Sequence, residues 1–208
     1  MDIKQLILSD LKPGLQMPDK NTLHVWTFSS DAPDSRYKSL HAHAHDLLNR
    51  ILSYYTGILK EKLMFGATKY GKPFLLPPSG TAEDEGAVPY FNLSHTKGYI
   101  VFIFSSCTPV GIDIESVSRK AYMDRIASRF FLPEDTAHLK TLTGDEKSEY
   151  FFRCWTRAES LLKGIGTGLS ASLLDKAVKK ELPLWNLQSM PAPKGYVCSI
   201  AYRRHHLL

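Results

Sequence analysis

The stretch from Cys154 to Lys163 constrains the fold of this chain more than any other part of the sequence. Apolar side chains recur there at helical spacing, so one face of a helix would be buried. Those side chains are Trp155, Ala158, Leu161 and Leu162. Glycines follow at positions 164, 166 and 168, and glycine often ends a helix because it adopts a left-handed backbone without strain. The sequence therefore predicts a helix that is buried along one side and ends sharply.

Two charged residues of this helix, Glu159 and Lys163, are four positions apart and so share a face. One interpretation is an exposed ion pair, which would add little stability. The other is half of a site for a metal ion and a phosphate group. The helix alone leaves both interpretations open.

A second informative stretch runs from Val110 to Glu115, where isoleucines alternate with carboxylates. On a strand, Asp113 and Glu115 would project from one face. Neighbouring carboxylates repel each other unless a cation or a proton intervenes. Mg²⁺ suits such a pair, because it binds one or two carboxylates together with substrate phosphates. The alternative is a solvent-facing edge strand.

The N-terminal part of the chain alternates between strand and helix signals. We expect an irregular segment over residues 1–20, a strand over residues 23–28, and a helix from about Tyr37 to Leu63 that Gly57 interrupts or ends. The helix carries His41, His43 and His45, whose alternate spacing scatters side chains around a helix. We therefore expect no shared metal ion there.

Two further segments could contact phosphate. Gly71 and Pro73 predict a tight turn with Lys72 at its tip. Ser94 and His95 come at the end of a predicted strand, where a hydroxyl and an imidazole could meet a ligand. The alternative for this second pair is a turn residue beside a surface histidine.

Two strands begin with the same three residues. Lys97-Gly98-Tyr99 precedes an apolar run that we expect to be covered on both faces, and Lys194-Gly195-Tyr196 precedes a later strand. Between them, residues 117–145 are expected to be irregularly helical and residues 146–163 to form the organising helix. The repeat is a slight sign that the two halves of the chain are alike.

Composition narrows the possible functions. The chain has 208 residues, 43% hydrophobic and 23% charged, as in ordinary globular proteins. No apolar run approaches the roughly 20 residues of a membrane span, and the N-terminus does not resemble a signal peptide. Three scattered cysteines without a C-x-x-C motif favour a reducing, cytoplasmic location and no zinc site. The net charge of +5 favours anionic partners, and the dispersed basic residues argue against nucleic acid.

Four motifs in this order resemble the 4′-phosphopantetheinyl transferases of the larger type that activates surfactin synthetase. The motifs are Gly71-Lys72-Pro73, Asn92-Leu93-Ser94-His95, Gly111-Ile112-Asp113-Ile114-Glu115 and Trp155…Glu159…Lys163. The resemblance runs from about residue 35 to 175 and includes Arg129-Phe130-Phe131, Gly168-Leu169-Ser170 and Leu174-Asp175. Each motif is modest, but all of them in register are specific.

The resemblance implies a fold and a reaction. The fold would be α+β, with two similar α+β halves, residues 1–108 and 109–208, about a pseudo-twofold axis and the active site in the cleft between them. The enzyme would transfer 4′-phosphopantetheine from coenzyme A to a serine of an apo acyl, polyketide or peptidyl carrier protein. The reaction would need Mg²⁺ and release adenosine 3′,5′-bisphosphate. A monomer without nucleic-acid or membrane partners is expected.

The resemblance also implies roles for individual residues. Asp113, Glu115 and Glu159 would hold Mg²⁺, and Glu159 would also be a candidate catalytic base. Lys163 would contact the phosphates as a catalytic and coenzyme A-binding residue. The nucleotide end of coenzyme A would be bound by Lys72, Ser94 and His95.

One position departs from the family pattern. The family usually carries Lys directly before the glutamate, where this chain has Ala158. Arg157 lies about 100° around the helix from that position, so it need not replace the charge. Our hypothesis is that Arg157 or Lys120 compensates and activity is retained. The basic residues of the first helix, Arg36, Lys38 and Arg50, match the family loosely and stay unassigned.

Three rival interpretations follow. The chain could bind coenzyme A but have lost catalysis, with Ala158 as the cause. It could be a different Mg²⁺-dependent phosphohydrolase, which would release phosphate without an acceptor protein. A nucleic-acid-binding role is the weakest, because aromatic and basic residues do not interleave.

Overall fold

The computed structural model describes residues 1–30, 38–77, 88–167 and 172–204. Two parts of the sequence analysis fall outside these ranges: Arg36 and residues 168–170 of the family pattern. The strands are β1 (Asp2–Leu6), β2 (Thr22–Ser29), β3 (Phe65–Ala67), β4 (Pro73–Leu75), β5 (Tyr90–Thr96), β6 (Tyr99–Ser105), β7 (Val110–Ser116), β8 (Trp185–Met190) and β9 (Tyr196–Arg203). The α-helices are α1 (Leu40–Thr56), α2 (Met123–Phe130), α3 (Pro133–Leu139), α4 (Gly144–Ile165) and α5 (Lys176–Glu181).

The first sheet has the strand order β1-β2-β6-β5. β1 is parallel to β2, and the other neighbours are antiparallel. Helix α1 covers one face of this sheet, because its apolar stripe packs on aromatic side chains of β2 and β6. The fully buried members of this core include Trp26, Phe102, Phe104, Leu48, Ile51 and Leu52.

The second sheet has the order β7-β9-β8 and is antiparallel throughout. Helix α4 packs against β7, β9 and β8. Gly111 of β7 allows this packing, since a Cβ at that position would lie 1.9 Å from the Ser160 carbonyl oxygen of α4. The helix and the strand therefore approach each other backbone to backbone.

A shared core joins the two sheets. Ile112 and Ile114 of β7 pack with Val101 and Ile103 of β6 and with Ile200 of β9. Because side chains alternate along a strand, this leaves the opposite face of β7, with its carboxylates, to α4. The prediction that β6 is covered on both faces is confirmed, since Phe102 and Phe104 belong to the other core.

The predicted α+β class is confirmed, and most elements lie where the sequence indicated. The first helix begins with Ser39 as N-cap and stops at Thr56, because Gly57 takes a left-handed backbone with φ of 71°. It is thus shorter than the expected helix to Leu63. The expected irregular start was wrong, because Asp2–Leu6 forms β1 along the edge of the first sheet.

Over the described ranges, no helix combines the length and the apolar character that crossing a membrane requires.

Candidate active site

Three of the predicted site residues meet at the junction of β5, β7 and α4. The Lys163 Nζ lies 2.6 Å from Asp113 Oδ1 and donates to Ser94 Oγ at 3.0 Å. Ser94 Oγ in turn donates to Asp113 Oδ1 at 2.7 Å. Asp113 is only 5% exposed, so this pair is largely withdrawn from water. Ser94 and Lys163 are 69 positions apart in the sequence, and the fold brings them into one cluster with Asp113.

Helix α4 brings Glu159 to the same cluster, one turn before Lys163. Glu159 is 5% exposed, which excludes the exposed ion pair as an interpretation of the helix. Burial, and next the charge of Asp113, raise the pKa of Glu159 to about 7, while Lys163 opposes the shift. Glu159 therefore changes its charge near neutral pH, which suits a group that accepts a proton.

Glu115 lies at the end of β7 and is paired with Arg119, four residues further along the chain. Burial and the charge of Asp113 raise the pKa of Glu115, whereas Arg119, Lys163 and a hydrogen bond with Thr96 lower it. The alternative of a solvent-facing strand is wrong, because Asp113 is buried and Glu115 is half-buried. Arg119 and Thr96 were not predicted from the sequence, although the four-residue spacing of Glu115 and Arg119 was a visible signal.

Lys72 was predicted at the tip of a turn, but its side chain is partly buried against β7 and α4. Its Nζ donates to the carbonyl oxygens of Gly164 at 2.8 Å and Val110 at 3.1 Å. A cation at this point interacts favourably with the carboxyl end of α4. Burial lowers the pKa of Lys72 to about 8. Lys72 thus lies beside α4 one residue after Lys163, where it lines a cavity of about 670 Å³ with Phe74 and Pro109.

His95, next to Ser94 on β5, belongs to a group of three histidines. Its ring centroid lies 6.0 Å from that of His41, which lies 4.3 Å from that of His45. Burial lowers the pKa of His95 and of His45, and the neighbouring His41 adds to both shifts. The expectation that the helix histidines scatter was wrong for this pair, because positions 41 and 45 share a helix face.

Asn92 explains why β5 and β7 lie side by side. Its Oδ1 accepts a hydrogen bond from the Ile112 N–H at 3.1 Å, which joins the edges of the two sheets. Ser94 is two residues further along β5, on the same face of the strand. Asn92, the first residue of the motif, thus has a structural function that sequence spacing alone did not reveal.

Ala158, the departure from the family pattern, belongs to the apolar side of α4. It is 2% exposed and shares a core cluster with Leu162 and Trp185. Arg157 and Lys120 are both exposed. The hypothesis that one of them compensates for a lost lysine therefore stays a prediction.

The carboxylates of Asp113, Glu115 and Glu159 are oxygen ligands of the kind that a hard divalent cation binds, although they do not lie close together around one point. Asp113 Oδ2 is buried and has no hydrogen-bond partner among the described residues. An orphaned carboxylate oxygen beside two more carboxylates is a suitable ligand for Mg²⁺. Within the described ranges, however, no group of three or more His, Cys, Asp or Glu side chains is gathered closely enough to hold a metal ion. The fit thus rests on donor chemistry, while Lys163 and Arg119 already neutralise two of the carboxylates.

The chain is similar to known 4′-phosphopantetheinyl transferases. Residues 109–198, which contain β7, α4 and β8, match the family model of the 4′-phosphopantetheinyl transferase superfamily. The chain is 25% identical over 210 residues to the 4′-phosphopantetheinyl transferase HetI of a Nostoc species, an alignment that covers 86% of each chain. A 4′-phosphopantetheinyl transferase of Bacillus subtilis is 36% identical over 113 residues, which covers 53% of this chain and 45% of that protein. Another from that species, Sfp, is 33% identical over 129 residues, covering 61% of this chain and 52% of Sfp.

The predicted resemblance is therefore confirmed: the chain is similar to the 4′-phosphopantetheinyl transferase superfamily over residues 109–198 and to curated enzymes of that type. Its predicted class as an enzyme of this type is confirmed with it. The alignments with the Bacillus relatives span about half of those proteins.

Proposed function

We propose that this protein transfers the 4′-phosphopantetheine group of coenzyme A to a serine hydroxyl of an apo acyl, polyketide or peptidyl carrier protein, with Mg²⁺ as metal ion. The observation that carries the proposal is the buried cluster of Ser94, Asp113 and Lys163, with Glu159 one helical turn away. In such a cluster, the ammonium group can bind phosphate, and the carboxylates can bind a cation or accept a proton. Asp113, Glu159 and Lys163 lie within the segment that matches the family model, and Ser94 precedes that segment in the chain.

The proposed reaction is a displacement at phosphorus. The serine oxygen of the carrier forms a bond to the phosphorus that bears pantetheine, and the bond from that phosphorus to the bridging pyrophosphate oxygen breaks. The electron pair leaves with that oxygen in adenosine 3′,5′-bisphosphate. Glu159 accepts the serine proton, for which a pKa near neutrality is suited.

Lys163 would stabilise the negative charge that develops on the phosphate oxygens. Its ammonium is held by Asp113 and Ser94, so it is oriented before substrate arrives. Ser94 and His95 at the end of β5 would contact the nucleotide end of coenzyme A. Lys72 would contribute to the same end, which requires its ammonium to leave the carbonyl oxygens that it now contacts.

Asp113, Glu115 and Glu159 would hold Mg²⁺. When bound, the ion would neutralise the pyrophosphate and favour departure of the leaving oxygen. The orphaned Asp113 Oδ2 supports this assignment, because a buried carboxylate oxygen without a partner favours a nearby cation. Burial, and next the charge of Asp113, raise the pKa of Glu115 and of Glu159, and a bound cation would favour their charged forms.

We further propose that residues 1–108 and 109–208 are two similar halves about a pseudo-twofold axis, with the site in the cleft between them. Each half contains a strand, a principal helix and two more strands, and in each sheet the third strand lies between the first and second: β2-β6-β5 and β7-β9-β8. The repeated tyrosines support this arrangement. The rings of Tyr99 and Tyr196 are 4.8 Å apart, and Tyr196 Oη donates to the Lys97 carbonyl oxygen at 2.9 Å.

The remaining proposals follow from the family resemblance and the composition. With both halves in one chain, the protein would act as a monomer in the cytoplasm. Its partners would be coenzyme A and a carrier protein, without nucleic acid or a membrane. The net charge of +5 suits both of these acidic partners.

The experiment is the intact mass of a purified apo carrier protein after incubation with this protein, Mg²⁺ and coenzyme A. A gain of roughly 340 Da, the mass of one phosphopantetheine group, is expected and should vanish with EDTA. No gain across several carrier types, with coenzyme A still bound, would overturn the proposal in favour of a binding protein that has lost catalysis. Release of phosphate without an acceptor would instead indicate a phosphohydrolase.

A further inference from the structure

The ion pair between Glu115 and Arg119 lies at the edge of the proposed metal site. Glu115 is the second-last residue of β7, and 12% of its side chain is exposed. The chain then turns tightly, with the Arg119 N–H donating to the Ser116 carbonyl oxygen at 3.2 Å. This turn brings the Arg119 guanidinium back onto the Glu115 carboxylate, while 53% of the arginine side chain stays exposed.

The pair matters because the charge of Glu115 is otherwise poorly compensated. Asp113 and Glu115 project from the same face of β7, and Arg119 is the cation paired with Glu115. Lys163 forms the corresponding ion pair with Asp113. Two of the three carboxylates proposed to hold a metal ion are thus already paired with a cation from the chain itself.

The two cations differ in how firmly they are held. Lys163 Nζ has three oxygen contacts, from Asp113, Ser94 and the Ile112 backbone, on a side chain that is mostly buried. Arg119 projects from an exposed turn, and water competes with Glu115 for its guanidinium because 53% of the arginine side chain is exposed. Arg119 is therefore the cation that an incoming metal ion can displace at little cost.

We propose that Arg119 is a built-in counter-ion that competes with the divalent metal ion for Glu115 and so sets the metal affinity of the site. This inference rests on the proposed function, because it takes Asp113, Glu115 and Glu159 as the metal-holding residues. A second, independent observation supports a cation at this cluster. Asp113 Oδ2 has no hydrogen-bond partner among the described residues, although Asp113 is only 5% exposed.

Two consequences follow from this competition. Without metal, Arg119 limits the repulsion between Glu115 and Asp113, so the folded protein tolerates both charges. With metal, release of Arg119 opposes binding, so a chain that lacks Arg119 binds the metal more tightly. Such opposite effects on stability and on metal affinity are what thermodynamic linkage requires of a competitor.

The test compares Arg119→Ala with Arg153→Ala in the full chain. Arg153 is a matched control, since it pairs with Glu149 at the same four-residue spacing on the exposed side of α4 and is 52% exposed. Mn²⁺ affinity would be measured by electron paramagnetic resonance and Mg²⁺ affinity by calorimetry. We expect Arg119→Ala to tighten both dissociation constants about three- to tenfold and Arg153→Ala to leave them unchanged. Arg119→Lys, which keeps the charge, should restore most of the wild-type affinity.

Thermal unfolding provides a second readout. Without divalent metal, Arg119→Ala should unfold at a lower temperature than Arg153→Ala, and saturating Mg²⁺ should remove the difference. Unchanged or weaker metal binding in Arg119→Ala would overturn the inference, as would a failure of all variants and the wild-type protein to bind metal at millimolar concentration. The carrier-loading assay with wild-type protein decides the proposed function separately, so the two failures are distinguishable.

Discussion

Lys163 at the end of α4 and Asp113 in the middle of β7 form a charged hydrogen bond of 2.6 Å. The two residues are 50 positions apart in the chain, and Ser94 of β5 bonds to both. The Lys163 ammonium group therefore both connects α4 to β7 and β5 and makes the proposed contact with phosphate. Substitutions in this pair should change stability and activity together.

Replacing Lys163 with methionine should leave the Asp113 carboxylate buried without a cation. We expect a loss of about 3 kcal/mol in the free energy of unfolding, the usual consequence of removing one partner from a buried ion pair. Transfer activity should fall with it. Urea unfolding without divalent metal would measure the first effect.

The double variant Asp113→Asn with Lys163→Met is the control for that prediction. Because it removes both charges, it should recover much of the lost stability but none of the activity. A double variant as unstable as Lys163→Met alone would contradict the assignment of the pair.

Replacing Glu159 with glutamine should lower the turnover number by about 10²-fold, because an amide cannot accept the serine proton. Coenzyme A affinity should change far less than turnover if Glu159 acts in the chemical step. Rates from the carrier-loading assay, with coenzyme A binding by calorimetry, would separate the two effects. Glu149→Gln, on the exposed side of the same helix, should leave both unchanged, and equal losses in the two variants would refute a specific role for Glu159.

Replacing Gly111 with alanine should destabilise the protein by about 3 kcal/mol, because the new Cβ would press on the backbone of α4. The nearest atoms are the Ser160 carbonyl oxygen at 1.9 Å and the Gly164 nitrogen at 2.6 Å. Gly57→Ala is a useful comparison, since open space surrounds Gly57 and only its left-handed backbone resists a side chain. That variant should lose about 1 kcal/mol. Denaturation midpoints measure both, and the reverse order would contradict the packing argument.

Stability should fall as the pH drops below about 6.5, because His24 is buried in its neutral form. Burial, with a smaller contribution from Lys4, lowers the pKa of His24 from 6.5 to about 4. The unfolded chain therefore binds the proton first, so stability is complete above pH 6.5 and declines until about pH 4. The total contribution is about 3 kcal/mol at ~1.4 kcal/mol per pKa unit.

The hydrogen bonds of His24 support that prediction. Tyr55 Oη lies 2.7 Å from His24 Nδ1 and accepts from Trp26 Nε1 at 2.9 Å. With the indole donating to it, the tyrosine hydroxyl is free to donate to the imidazole, which a protonated Nδ1 would prevent. His24→Phe should flatten the stability profile between pH 4 and pH 6.5 relative to wild type, and an unchanged difference between these pH values would refute the assignment.

Much of the fold was predictable because its signals are local. Each signal lies within one element or at its end: the apolar stripe of α4, the alternation in β7 and Gly57 after α1. β1 was missed because Asp2–Leu6 has little apolar character and is a strand only through pairing with β2. Strands pair through backbone hydrogen bonds, so the pairing of β1 with β2 does not require a pattern of side chains in Asp2–Leu6.

The sequence by itself determined which chemical groups the protein has and on which element each one lies. Its motifs were sufficient to identify the superfamily before any contact was known. The tertiary structure decided the partners: Lys163 pairs with Asp113, Glu115 with Arg119, and His41 meets His95. Spacing along one helix or strand fixes which side chains share a face. Which face of another element they meet depends on packing across the whole chain, and here the contact of α4 with β7 through Gly111 set that arrangement.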